Sequence, residues 1–335
     1  MMNQTAQDQR LDRAYGCLIA GAIGDAMGMP ASFFTREQIK RNYGYIQDFL
    51  VPAEEQHAHG SLEAGEVTDD TMESLIIARL LAGRNRFPKE EFLTAMRDWA
   101  IKEKMLETTL IGPSTRRFLE AVVKGEDPAE GAKTSLTNGS IMRVAPVGIK
   151  FWNDMDKCME EATASSVCSH GSAPCVAGAC AAACAVAAGV HGGYTPGEVM
   201  DFAIAGAKYG EAHGHEIPAP SVSKRIQLAR EIVDRNAGKS VPEILDELVG
   251  IIGAGMTAFE SAPFSLGVFY ACGGNAREGI LAAINAGDDA DTNGSIAGNL
   301  CGAYSGAAAL PQEWIVRVER VSGIDTLTMA RELLA

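Results

Sequence analysis

Residues 172–190 form a run of 19 without a single charge, most of them Ala, Gly or Cys. Such a run is long enough to approach a membrane span. Small side chains gain little by entering lipid, however, and they let neighbouring helices approach closely. The segment is therefore expected as a tightly packed central helix rather than a span. Apolar residues recur at helical spacing over 11–27, 71–81, 90–102, 222–236, 241–252, 276–286 and 294–309 as well. After Pro311 an amphipathic pair of helices runs to the C-terminus, with Thr326 as the expected cap. Alternating strand patterns are scarce, and the predicted fold is all-α. The 36 glycines show no fixed period, which excludes collagen-like and solenoid architectures.

The 335 residues are 47% hydrophobic and 21% charged, ample for a substantial core. No Pro/Ser-rich linker or block of like charge divides them, so a single domain over 1–335 is expected. A net charge of −14 without a basic stripe repels phosphate backbones and anionic lipid, which argues against nucleic-acid and membrane partners. Eight cysteines form no CxxC pair and lie mostly among Ala, Gly and Val, as small buried hydrophobes do. Cys180 and Cys184 share a helical face but fall short of the four ligands of a zinc site. The N-terminal residues are polar, without a signal-peptide pattern, and a cytoplasmic location is expected.

Two acidic clusters carry the chemistry: Thr68-Asp69-Asp70-Thr71 and Asp288-Asp289-Ala290-Asp291-Thr292. Thr68 precedes an apolar-periodic run, where its hydroxyl can cap a helix whose first turn holds Asp69 and Asp70. Capping alone does not require two adjacent carboxylates. The second cluster packs three negative charges between apolar runs, where unpaired carboxylates are costly to bury and a divalent cation removes the conflict. No EF-hand spacing is present, so the oxygen donors point to Mg²⁺ or Mn²⁺ shared between the clusters. Two such ions could activate water and clamp substrate hydroxyls. His57, His59, His213 and His215 lie in polar, Gly-rich stretches and read as solvated loop residues. GxGxxG after a strand, the P-loop and the GxSxG elbow are all missing.

These residues resemble the ADP-ribosylglycohydrolase family over nearly the whole chain. The likeness runs through Gly16-Cys-Leu-Ile-Ala-Gly-Ala-Ile-Gly-Asp-Ala-Met-Gly28, the TDDT segment, Asn138-Gly-Ser-Ile-Met-Arg143, Ser169-His170 and Gly287-Asp-Asp-Ala-Asp-Thr292. The resemblance implies an all-helical fold and a binuclear Mg²⁺ centre with ligands Thr68, Asp69, Asp70, Asp289, Asp291 and Thr292. It implies cleavage of a glycosidic bond at the anomeric carbon of ADP-ribose, in a small-molecule or protein-attached substrate. Asp69 and Asp289 are then the expected holders of the attacking water. Asn138, Gly139, Ser140 and His170 would contact substrate, although His170 also reads as a cap for the helix after Pro174.

Two departures stand out. Where the family commonly carries a glutamate in G-x-P-x-E, this chain has Gly28-Met29-Pro30-Ala31-Ser32, and Glu63 or Glu66 is a possible substitute. The stretch before Asn138, glycine-rich in some relatives, reads Thr134-Ser135-Leu136-Thr137. These departures leave two alternatives open beside ADP-ribosyl hydrolysis. One is hydrolysis of a nucleoside at the same metal site, and the other is a catalytically inactive, ligand-binding or crystallin-like relative.

Overall fold

The computed structural model describes residues 4–335, and among these it holds seventeen α-helices, three short 3₁₀ turns and no sheet. Five helices position the site: α1 (Gln4–Gly28), α2 (Asp69–Leu81), α3 (Ala173–His191), α4 (Ala258–Ala271) and α5 (Ala290–Ser305). The expected central helix is α3. Every residue from Pro174 to Val190 is buried, so its membrane-like hydropathy reflects a core position. Its smallness matters to its neighbours: a Cβ added to Gly206 of the Pro196–His213 helix would lie 2.5 Å from the Cys180 carbonyl.

The most extensive helix pairing is that of α1 with α5. A Cβ on Gly24 would sit 2.0 Å from the Gly294 carbonyl oxygen, and one on Gly298 would sit 2.2 Å from that of Ala20. Both are well inside van der Waals contact, so only hydrogen can occupy those places and the two backbones touch. Dispersion across such a close seam is individually small and collectively large. Because α1 and α5 come from opposite ends of the chain, this crossing also brings the two acidic clusters within reach of each other.

Some boundaries differ from expectation. The first helix begins at Gln4, well before 11, and α5 begins at Ala290 rather than 294. At the last helix Asp325, not Thr326, is the cap, its carboxylate accepting the Thr328 N–H at 3.0 Å. Thr326 is buried instead, its hydroxyl donating to Glu319. Helix α4 is apolar on nearly every face and carries Pro263 inside it, so no amphipathic period marks it in the sequence. All eight cysteines are free and buried, and Cys180 is pushed up to about 12 by desolvation, as expected of inert core thiols.

Candidate active site

Both acidic clusters sit at helix N-termini. At the start of α2, Thr68 has extended backbone and its Oγ1 accepts the Asp70 N–H at 3.3 Å, the capping role expected of it. Asp25 of α1 clamps the same turn from below. Its carboxylate accepts the Thr68 N–H at 3.0 Å, the Thr71 N–H at 3.2 Å and the Thr71 hydroxyl at 2.6 Å. At the start of α5 the chain turns sharply through Gly287 and Asp288, whose φ angles are +83° and +59°. The Asp288 backbone pairs with Phe33 and Phe34 there, which delivers Asp289 to the N-cap position and Asp291 and Thr292 to the first turn. Helix dipoles favour anionic side chains at both places.

The two N-termini face one cavity of about 240 Å³, lined by Asp69, Asp70, Asp289, Asp291 and Thr292. Asn138 and Gly139 form a further wall, and Phe33, Leu110 and Met256 stand among its apolar lining. Asn138 Nδ2 donates to Asp289 Oδ2 at 2.6 Å and to Ser261 Oγ at 3.0 Å. Ser261 in turn donates to Asn293 Oδ1 at 2.9 Å, and Asn293 Nδ2 donates to the Ala254 carbonyl at 2.6 Å. Asp289 is thereby tied to α4 and α5 together, while Thr292 Oγ1 donates to its other oxygen at 3.3 Å.

Burial drives the electrostatics. Desolvation, followed by the charges of neighbouring acids, lifts Asp69 and Asp70 well above the ordinary carboxylate range. Asp289 rises for the same reasons, desolvation first and then Asp291, with the Asn138 amide opposing. Desolvation carries Asp25 up to about 7 despite the hydrogen bond from Thr71. Each of these sites favours the neutral acid unless a positive charge is supplied.

Other expected residues lie elsewhere. His170 is fully buried behind the wall, its Nδ1 2.7 Å from Ser169 Oγ and its Nε2 3.1 Å from Thr137 Oγ1. Both ring nitrogens are occupied, so it neither reaches the cavity nor caps α3. Its role is architectural: Arg143 pairs with Glu73 of α2 and donates to Ser169, linking α2 through His170 to the 137–139 turn. Ser140 is buried with its hydroxyl toward the Cys175 carbonyl, away from the cavity lining. Glu63 and Glu66 do not replace the missing glutamate; Glu66 accepts the Glu63 N–H outside the cavity. Ser32 is buried with no partner for its hydroxyl.

Sequence reasoning missed two residues. Asp25 is the only charged residue between Ala14 and Gly28, and a lone carboxylate in an apolar helix was the available signal. His59 is 3% exposed and lines the cavity, which corrects its reading as a solvated loop residue. His57, His213 and His215 are exposed as expected, but His213 ends the Pro196–His213 helix, with its Nδ1 2.7 Å from the Tyr209 carbonyl, rather than lying in a loop.

A family model described as ADP-ribosylglycohydrolase matches residues 6–335. The chain belongs to the ADP-ribosylglycohydrolase family. Like its homologues of named activity, it is a hydrolase of glycosyl bonds. It is 28% identical over 318 residues to the uncharacterized protein YegU of Escherichia coli (strain K12), covering 94% of each chain. It is 28% identical to the ADP-ribosylarginine hydrolase Tri1 of Pseudomonas putida (strain GB-1), covering 93% of this chain and 75% of that protein. A solved structure titled ADP-ribosylglycohydrolase-related protein complex has the same fold, with a TM-score of 0.71 at 23% identity over 97% of this chain and 98% of that one.

Proposed function

We propose that the chain hydrolyses an N- or O-glycosidic bond at the anomeric carbon of an ADP-ribosyl group. Two Mg²⁺ ions, or Mn²⁺ in their place, would be held by Thr68, Asp69, Asp70, Asp289, Asp291 and Thr292. The observation that carries the reading is the meeting of four buried aspartates from distant parts of the chain in one cavity. The donor set fits hard cations: Asp70 Oδ2 and Asp291 Oδ1 are buried without any hydrogen-bond partner. Among the described residues no three His, Cys, Asp or Glu groups close around one point by themselves. Threonine hydroxyls, water and the substrate diol would have to complete the shell.

When bound, the cations would lower the pKa of water and orient the vicinal ribose hydroxyls. The protein's own part follows from its carboxylates. Departure of the aglycone leaves oxocarbenium-like positive charge on the ribose, which the anionic cluster stabilises. Asp69 and Asp289 hold the attacking water, and the Asn138 and Thr292 hydrogen bonds keep Asp289 from turning away. The test is release of ADP-ribose from ADP-ribosyl-arginine and ADP-ribosyl-serine peptides, with Mg²⁺ and with chelator. Release that needs the metal and disappears in Asp289→Asn supports the reading, and retained turnover in that variant defeats it.

One observation favours a second reading, hydrolysis of a free nucleoside. The Asn138 N–H donates to the Met256 carbonyl at 2.9 Å, and the Ala258 N–H to that of Leu136 at 2.8 Å. Backbone so paired is not free to cradle a diphosphate. Simple ribonucleosides turned over as fast as ADP-ribosyl peptides would replace the first reading with the second.

A further inference from the structure

Besides the four aspartates, His59 is the one titratable group among the residues that line the cavity. Its side chain is 3% exposed, and neither ring nitrogen has a hydrogen-bond partner. Its backbone is held firmly. The Gln56 amide oxygen accepts the Ala58 N–H at 2.9 Å and the His59 N–H at 3.4 Å, while Gln56 Nε2 donates to the Ser32 carbonyl at 2.9 Å. The loop bearing the imidazole is thus fastened to the segment that follows α1. His59 Nε2 points at Asp291 Oδ2 from 3.5 Å.

A buried polar atom without a partner forfeits the hydrogen bonds it made in water, so orphans lining one cavity call for a partner supplied from within that cavity. Around this cavity the orphans are both nitrogens of His59, Asp291 Oδ1 and Asp70 Oδ2. A direct His59–Asp291 hydrogen bond would satisfy one nitrogen and leave the other orphans as they are. A cation between His59 and Asp291 takes a lone pair from the imidazole and one from the carboxylate at once, since a neutral imidazole always offers one unprotonated nitrogen.

We infer that His59 donates a ring nitrogen to a divalent cation shared with Asp291, making the centre a mixed nitrogen–oxygen site that prefers Mn²⁺ to Mg²⁺. The inference rests on the cation-dependent reading above and sharpens it. Magnesium selects oxygen donors almost exclusively, whereas imidazole suits the later divalent ions, and affinity generally rises from Mn²⁺ onward along that series. One nitrogen in an otherwise oxygen shell shifts the balance toward Mn²⁺ without excluding Mg²⁺.

Pulsed electron paramagnetic resonance on the full-length protein loaded with Mn²⁺ reads the ligand directly. Nitrogen modulation is expected, changing on isotopic labelling of histidine and disappearing in His59→Gln. By calorimetry the same substitution should lower the Mn²⁺-to-Mg²⁺ affinity ratio by about tenfold or more. The labelled wild-type spectrum requires no variant to fold. Mn²⁺ uptake without nitrogen modulation, or modulation that survives His59→Gln, overturns the assignment of His59 and leaves the carboxylate centre standing. Absence of any Mn²⁺ uptake overturns both.

Discussion

Helix α5 presents two opposite environments within ten residues. At Gly294 and Gly298 it touches α1 backbone to backbone, with the neutral Asn299 amide beside them against Gly21. At Asp289 and Asp291 it holds desolvated carboxylates beside those of α2. The seam is stabilised by the absence of side chains, while the cavity wall is destabilised by the ones it has. Stability is spent where charge is concentrated, and the seam next to it keeps the charged residues in place.

That contrast is open to direct attack. The largest effect is expected at the seam: Gly298→Leu places a side chain where even a Cβ lies 2.2 Å from the Ala20 carbonyl oxygen. A loss of more than about 4 kcal/mol should follow, read as loss of soluble, cooperatively melting protein. Nine residues earlier, Asp289→Asn should keep the helical circular dichroism and lower kcat by about a thousandfold or more. In chelator above neutral pH it should also melt a few degrees higher than the parent, because it removes a buried like charge. A lower melting point there would break the distinction between the two regions.

A pH series sharpens it further. Asp25 binds its proton more tightly folded than unfolded, since burial lifts its pKa to about 7. Between the ordinary carboxylate value of about 4 and that elevated value the native state holds the extra proton. Its contribution to stability is therefore full below that window and falls as pH rises through it. In chelator, the parent should lose thermal stability relative to Asp25→Asn between acid and mildly alkaline pH, and added Mg²⁺ or Mn²⁺ should close the gap. A gap that widens in the opposite direction would contradict the burial argument.

Smaller effects are expected at the margins. None of the eight buried thiols should react with an aromatic disulfide reagent within minutes in the native state, and all should react in denaturant. Phe33, half-exposed beside the cavity, should contribute only contact area to substrate. Phe33→Ala is expected to raise KM about fivefold, equivalent to about 1 kcal/mol, with kcat unchanged.

The legibility of these features in the sequence follows the same division. The all-helical class and the central α3 were visible because composition and spacing are local properties, and the meeting of the two acidic clusters followed from their shared oxygen-donor chemistry. Thr68 was readable as a cap for the same reason. His59 was hidden because the stretch around it, Gln56 to Leu62, carries no apolar period; it is buried by a loop folding back over the 29–32 turn. His170 was misplaced because its neighbours in sequence do not disclose that Ser169 and Thr137 would occupy both nitrogens. Helix α4 was missed because a helix buried on every face has no polar side to set its period.

The partnership of α1 with α5 also has a consequence for how the protein is made. The glycine-lined face of α1 is translated some 270 residues before the helix it docks against. At a synthesis rate of about 5–20 residues per second, that face waits on the order of fifteen seconds or more before it can dock. On the proposed reading, a nascent or truncated chain ending before Asp289 holds Asp25, Asp69 and Asp70 but lacks Asp289, Asp291 and Thr292, so enzymatic competence arrives late in translation and all at once.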